Sequence, residues 1–449
     1  MRMIYNVSDK PPFGQLIIFA IQQLLAIMAA TLVVPVIIGN DMSPAAALFG
    51  AGAGTLVYIA FTKGRSPVFL GSSFAFIGSM STAFAGAVSV SVGYVGLIIG
   101  AFFAGLVYVL IAIIVKIAGV GWVNKLMPAV VIGPTVAIIG LSLAGNAIGD
   151  LLSGDKYIIV DGASVMATSP YVALICGLVT LIVTMIASTY GRAMVKLIPF
   201  IIGILAGYAV AAVFTVIGNS TGMDSLCVIN FGVFSSMEGI LSIPHFTFIT
   251  AKEGLAMVDG AYLATVAVAY VPVAFVVFAE HIADHKNLSS IIEKDLLEDP
   301  GLHRTLLGDG VGSMVGAFFG GCPNTTYGES VGCVAITRNA SVVSIIAAAL
   351  GAIIISFVSP FVAFVESIPP CVMGGVCMAL YGFIAVSGLK MLQKVDLDEE
   401  RNLFVASVIL ISGIGGLTLT FGKVTLTSVA CALILGIVTN IILSKKKEY

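Results

Sequence analysis

The sequence predicts an all-α polytopic membrane protein, and three observations carry that prediction. Of its 449 residues 59% are hydrophobic and only 10% charged, and the mean hydropathy is +1.11. Soluble domains average about 25% charged residues, so a water-facing surface cannot be assembled from this inventory. The apolar residues fall into runs of roughly 20, the length that crosses a bilayer as a helix. The basic residues gather between alternate runs, as membrane topology favours. Fifty glycines and 16 prolines fit the same class, because both are commoner in membrane helices than in soluble ones.

Residues 1–12 are polar and read as a cytoplasmic N-terminus. The run from Phe13 is too long for a signal-peptide core and lacks a small-residue cleavage pattern. Segments near 14–38, 44–62, 66–84, 94–119, 122–145, 170–190, 196–218, 261–282, 304–321, 323–338, 341–365, 369–389, 402–421 and 424–444 are apolar or bounded enough to be spans, about fourteen in all. With the N-terminus inside and strict alternation, 18 of the 21 Lys and Arg residues, from Arg2 through Lys125 to Lys447, fall on the cytoplasmic side. Only Lys156, Lys252 and Lys423 do not. That is the positive-inside bias, and removing one span from the first half would scramble it. Both termini are expected in the cytoplasm, the second as a tail at 445–449.

Fourteen divides into two sevens, and an odd number turns the second half upside down in the membrane. The expected halves are 13–218 and 261–444, joined by an extracytoplasmic loop at 219–260. Inverted repeats of this kind are a recurring transporter plan. A thin echo accompanies the division: Pro128 stands five residues before Gly133 in span five, and Pro369 five before Gly374 in span twelve.

Spans three and ten hold corresponding places in the two halves, and both read as interrupted. The first carries Phe-Leu-Gly-Ser-Ser-Phe-Ala-Phe at 69–76, after Pro67; the second carries Pro-Asn-Thr-Thr-Tyr-Gly-Glu at 323–329. Non-helical backbone at membrane depth is tolerated where it is buried in protein or lines a cavity, and a matched pair of such breaks points to a transporter's binding site. The half-helices would aim free N–H groups at a ligand's carbonyl oxygens.

Two carboxylates fall in the same region. Glu280 ends an apolar run in span eight, and Glu329 follows the break in span ten. A charge at mid-bilayer costs roughly 2.5–3.5 kcal/mol on insertion scales, so such groups usually face a cavity or a polar partner. Asp284 lies four residues after Glu280 and so shares its helix face, although it also opens the charged run Asp-His-Lys-Asn and reads equally as the end of the span. His281 and His285 lie on a neighbouring face. Phe74 and Tyr327 flank the two breaks and suit stacking on a flat ring, and Gln22 and Gln23 are amides inside span one that need partners. The stretch from Asp284 to Arg304 reads as an amphipathic cytoplasmic connector. The seven cysteines form no CxxC pair and read as small core residues, neither disulfide framework nor metal site. No nucleophile motif or phosphate-binding glycine loop is present, so no enzyme, cofactor, metal or nucleic-acid partner is expected.

The motifs Gly-Ser-Ser-Phe-Ala-Phe (71–76), Ala-Glu-His (279–281), Asp-Pro-Gly-Leu-His-Arg (299–304) and Pro-Asn-Thr-Thr-Tyr-Gly-Glu (323–329), leading to Ala-Ile-Thr-Arg (335–338), resemble the nucleobase–ascorbate transporter family along the whole chain. Within it the chain is similar to bacterial uracil carriers. The resemblance implies a core domain from spans 1–4 and 8–11, a gate domain from spans 5–7 and 12–14, and short antiparallel strands in spans 3 and 10. It implies proton-coupled uracil uptake by alternating access, in a homodimer of the bacterial cytoplasmic membrane. Substrate contacts are implied at Phe74, Glu280, Tyr327, Gly328, Glu329 and Tyr381, and proton coupling at Glu280 and Asp284. Three positions depart from the family pattern: Ser330 stands in place of an Asn, Asp284 in place of a His, and Gln23 where a His is frequent. The first keeps open a purine carrier for xanthine or uric acid. An anion permease of the same architecture is disfavoured by central carboxylates, which repel like charge.

Overall fold

The computed structural model describes residues 3–119, 128–160, 163–192, 194–237, 239–421 and 424–444. Arg2, Lys125, Lys423 and the tail at 445–449, used above for orientation, lie outside them. Among the described residues fourteen helices of nine residues or more form the frame: α1 (Phe13–Ile38), α2 (Pro44–Phe61), α3 (Ile77–Ala85), α4 (Val90–Ala118), α5 (Ala129–Ser142), α6 (Pro170–Tyr190), α7 (Pro199–Thr221), α8 (Gly260–Ile292), α9 (Leu302–Gly320), α10 (Gly328–Thr337), α11 (Val342–Ile355), α12 (Pro370–Leu392), α13 (Glu400–Ile414) and α14 (Ser428–Ser444). Eight helical stretches among the described residues are long and apolar enough to cross a membrane, one of them α5 together with a short continuation at Ala144–Leu151.

Local chemistry sets the helix starts. Ser43, with Pro44 behind it, accepts from Ala46 N at 3.2 Å; Ser89 does the same for Val92 N at 3.3 Å, and Asp259 for Tyr262 N at 2.7 Å. Each satisfies one of the orphan donors of a first turn. Pro128 and Pro369 hold the same entry position at α5 and α12.

Glycine decides which helices touch. On α2 and α9, a Cβ at Gly50 would sit 2.6 Å from Gly316 O, and one at Gly54 would sit 2.7 Å from Gly312 O, so the backbones are in contact. On α5 and α12, a Cβ at Gly140 would sit 2.3 Å from Tyr381 O and one at Gly388 2.4 Å from Gly133 O. Small residues permitting close backbone approach are how helices associate where lipid offers no hydrophobic drive. Large apolar side chains point outward from the frame, such as Leu110 and Ile113 on α4 and Val213 and Val216 on α7, which suits a bilayer as the surrounding solvent.

Among the described residues there are also three two-stranded antiparallel ribbons. β1 (Leu70–Ser72) pairs with β4 (Asn324–Thr326), with Leu70 opposite Thr326 and Ser72 opposite Asn324. The other two are hairpins at helix connections: β2 (Tyr157–Val160) with β3 (Ala163–Met166), and β5 (Leu419–Phe421) with β6 (Val424–Leu426). The N-terminal segment runs beside the chain that leaves α10: Ile4 N donates to Arg338 O at 2.8 Å and Ala340 N to Tyr5 O at 2.9 Å.

Candidate functional site

The site is built on β1 and β4, which are buried along their length. Strands of three residues leave much of their backbone to be satisfied from outside the ladder, and each finds its partner on the helix one span earlier. For β1 that helix is α2: Thr55 Oγ1 accepts from Leu70 N at 2.9 Å and donates to Ala51 O at 2.7 Å. For β4 it is α9, where the Ser313 hydroxyl donates to Asn324 O. The Asn324 side chain crosses to the other side, its Nδ2 donating to Gly50 O at 3.0 Å. Gly316 and Gly54 make room for it, since a Cβ at either would lie 2.4 Å from that amide.

Past the strands the chain turns helical, at Phe74–Phe76 as one 3₁₀ turn leading into α3 and at Gly328 into α10. Neither Ser73 nor Tyr327, at the two entrances, caps its helix with a side chain. The first-turn N–H groups lie at the positive ends of two short dipoles, with no side-chain cap from the residue before them.

Against these ends lies α8. Asp284 accepts from Thr326 Oγ1 at 2.8 Å, which ties α8 to β4. Gly328 comes next: a Cβ there would lie 4.0 Å from Asp284 Oδ1 and meet nothing else within that distance. Glu329 follows as the next residue of α10, and Glu280 lies one turn back from Asp284 along α8. All three carboxylates are half-buried, and Gly328 and Gly78 are exposed although their spans are packed inside the protein. The exposure marks an open space between α3, α8 and α10. Phe74 reaches from the first break to Tyr381 on α12, edge to face with ring centres 6.2 Å apart. Beside Phe74 a cavity of about 60 Å³ continues between α3 and α8 on one side and α5 and α14 on the other, with Ser79, Ser142 and Thr427 on its walls.

The residues singled out in the sequence therefore fall into three groups. Glu280, Asp284, Gly328 and Glu329 come together. Phe74 and Tyr381 meet each other across the opening. Tyr327 does something else: its hydroxyl donates to Ser72 O at 2.6 Å, and its ring lies on Gly71, where a Cβ would be 2.4 Å from ring carbons. It braces one broken span against the other. The helix does not end at Asp284 either, because α8 continues to Ile292.

Behind the carboxylates lies a polar cluster that sequence reasoning did not assemble. His281 meets Asp309 at 2.7 Å through Nδ1 and Thr305 at 2.9 Å through Nε2. His285 bonds His281 O at 2.8 Å and Tyr58 Oη at 2.7 Å, and the two imidazoles stack with centres 4.0 Å apart. Asp309 was passed over, yet an acid between Gly308 and Gly310 inside an otherwise apolar span is a signal of the same kind as Glu280. The amide of Gln23 donates to the Ser330 hydroxyl, which also accepts from Phe69 N at 3.0 Å.

A helical frame with apolar outer faces, holding two broken spans around an open polar space, is the plan of a multi-pass membrane transporter. Residues 14–422 match the model of a permease family. The chain is 38% identical to a uracil permease of Bacillus caldolyticus, an alignment covering 99% of this chain and 96% of that protein. It is 37% identical to a uracil permease of Bacillus subtilis (strain 168), again over 99% and 96%. Among solved structures it is similar to the murine Slc26a9 anion transporter in the inward-facing state, with a TM-score of 0.62 at 13% identity, covering 97% of this chain and 69% of that one; that likeness concerns the fold. The chain belongs to the nucleobase–ascorbate transporter family.

Proposed function

We propose that the protein imports uracil with protons across the bacterial cytoplasmic membrane, by alternating access. The observation that carries this reading is the convergence of Glu280, Asp284 and Glu329 on the uncapped start of α10, held there by the bond from Thr326 to Asp284. Uracil offers two N–H donors and two carbonyl acceptors; carboxylates accept and helix-terminal N–H groups donate, so the two inventories are complementary. In this reading Glu329 and Glu280 take the ring N–H groups, and Gly328 and Phe74 offer backbone N–H groups to the carbonyls. Tyr381 closes the site from the gate, and Tyr327 acts through the strands it braces. Glu280 and Asp284 carry the coupled proton.

The architecture belongs to the same proposal. Spans 1–4 and 8–11 form a core and spans 5–7 and 12–14 a gate, two inverted seven-span repeats with both termini cytoplasmic. The glycine contacts of α2 with α9 and of α5 with α12 support it, because each joins a helix to the one seven spans later, and symmetry mates next to a two-fold axis must touch. A homodimer through the gate completes the picture.

Uptake of radiolabelled uracil in a strain lacking its own uracil carrier tests the reading. Accumulation that a protonophore collapses is expected. Absence of uptake removes the substrate; accumulation indifferent to the protonophore removes the coupling; suppression by excess unlabelled xanthine transfers the site to purines.

A further inference from the structure

A second polar opening lies well away from the carboxylates. The chain that leaves α7 pairs with the chain beyond α11: Ser242 N donates to Phe357 O at 2.9 Å, Ser359 N to Ile240 O at 2.8 Å, and Leu241 and Val358 form an antiparallel bridge. Beneath this joint is a cleft of about 280 Å³, lined by Ser43, Ser236, Ser242, His245, Ser359 and Glu366 with apolar side chains between them. Its walls come from three separate places: the entrance of α2, the loop before α8, and a short helix at Ser359–Glu366 that leads to α12. Ser359 is only 6% exposed, and its hydroxyl has no hydrogen-bond partner among the described residues. A buried hydroxyl without a partner costs about 1–3 kcal/mol, a cost that a ligand at the cleft would offset. Glu366 stands within electrostatic reach of His245.

We infer that this cleft is a second binding site, a capture site on the extracytoplasmic face for neutral, nucleobase-sized heterocycles bearing N–H donors. The ligand class follows from the lining. Among the described residues the lining carries one carboxylate and no Lys or Arg, which disfavours an anion. That carboxylate and one imidazole among the described residues are too few for Ca²⁺, which takes six to eight oxygen ligands. Hydroxyls, an imidazole and a carboxylate alternating with apolar walls match the edge and faces of a small heterocycle. The inference rests on the orientation and substrate class proposed above and extends them: the cleft faces the compartment from which the substrate arrives, so it raises the local supply of substrate without taking part in translocation.

Equilibrium binding of radiolabelled uracil to purified protein in nanodiscs tests it, with wild type, E366Q, S359A and E329Q compared. Wild type should show a tight and a weaker site. Both E366Q and S359A should weaken only the second, E366Q by about tenfold, the loss of one charge-assisted hydrogen bond. The E329Q variant should lose the tight site and keep the weaker one. In right-side-out vesicles E366Q should slow uptake at low external uracil and leave efflux unchanged. A single site in wild type, with E366Q and S359A binding as wild type does, overturns the capture site; no uracil binding at all overturns the functional reading on which it rests. Equal thermal unfolding of the four proteins shows that the losses are local.

Discussion

Replacing Thr55 by valine removes one hydroxyl from the wall behind β1 and changes almost nothing else. The side chain is fully buried, and valine has nearly its shape, so packing is retained. What is lost is the hydroxyl that accepts from Leu70 N at 2.9 Å. A buried N–H left without a partner costs about 1–3 kcal/mol, and β1 has just three residues with which to absorb it. The cheapest relief is a shift of β1 along β4, which carries Phe74 and its N–H away from their positions opposite α10. If about half of a 3 kcal/mol cost is paid in this misplacement, uracil binding weakens about tenfold, at 1.4 kcal/mol per decade. Scintillation proximity binding on purified protein gives the affinity, and thermal unfolding in the same detergent gives the stability. T55S keeps the hydroxyl and should restore binding. The mirror change, S313A, frees Asn324 O, and because both strands share one ladder the double variant should depart from additivity by 0.5 kcal/mol or more. Binding by T55V within twofold of wild type, or a T55S defect as large as that of T55V, refutes the hydroxyl's role.

E329Q presents an amide where an acceptor is needed and should weaken uracil binding by about 10- to 100-fold, the range of a lost hydrogen bond to a charged group, read by the same binding assay. E280Q loses an acceptor for a ring N–H as well as a proton carrier, so it should bind more weakly than wild type and fail to accumulate uracil against a gradient, which the binding assay and uptake with and without a protonophore check. G50A drives a methyl to 2.6 Å from Gly316 O, backbone against backbone, and should lower the melting temperature and the binding together, since Gly50 O also holds Asn324. Where the chain after α2 meets the chain before α9, Asp299 is bound by Lys294 at 2.9 Å and by Arg65 at 2.5 Å, and first Lys294, then Arg65, hold its carboxyl below the usual carboxylate range. A depressed value means that stability is present above the ordinary carboxylate pKa, about 4, and fades as pH falls through the lowered one. D299N should therefore melt slightly below wild type at neutral pH, and the difference should vanish in acid and shrink in high salt.

Several helix entrances were legible: segments expected to begin near 44, 170, 261 and 369 begin as helices at Pro44, Pro170, Gly260 and Pro370. So were the two breaks, where proline, glycine and hydroxyl residues replace an apolar period. What holds the breaks was not legible, because Thr55 and Ser313 look like ordinary hydroxyls inside apolar runs until their partners, 15 and 11 residues away, are folded back on them. Asp284 was ambiguous for a related reason. A run of Asp, His, Lys and Asn reads as a solvated loop, yet α8 passes through it with His285 and Leu288 buried and Lys286 and Asn287 exposed. The helical period continues there; only the polarity of the exposed face changes. Tyr327 was opaque for a different reason. An aromatic beside a binding site suits stacking, and nothing in the sequence tells that Gly71, far away in the chain, leaves a seat for its ring.

Two of the three departures from the family pattern form one contact. Gln23 and Ser330 are 307 residues apart, and the amide of one donates to the hydroxyl of the other. Both are buried, at 3% and 0% exposure, so each would need another partner if the opposite residue changed alone. Ser330 is further committed to Phe69 N, at the threshold of β1. Its hydroxyl faces the scaffold that positions the breaks, which separates the Ser330 departure from any choice between pyrimidine and purine. Exchanging the pair together should then preserve substrate preference, whereas S330N alone, which adds bulk at a fully buried position beside Gln23, should weaken all substrates alike. A shift of S330N toward xanthine, with uracil uptake falling and xanthine uptake rising, would place Ser330 in the recognition of the base and reverse this assignment.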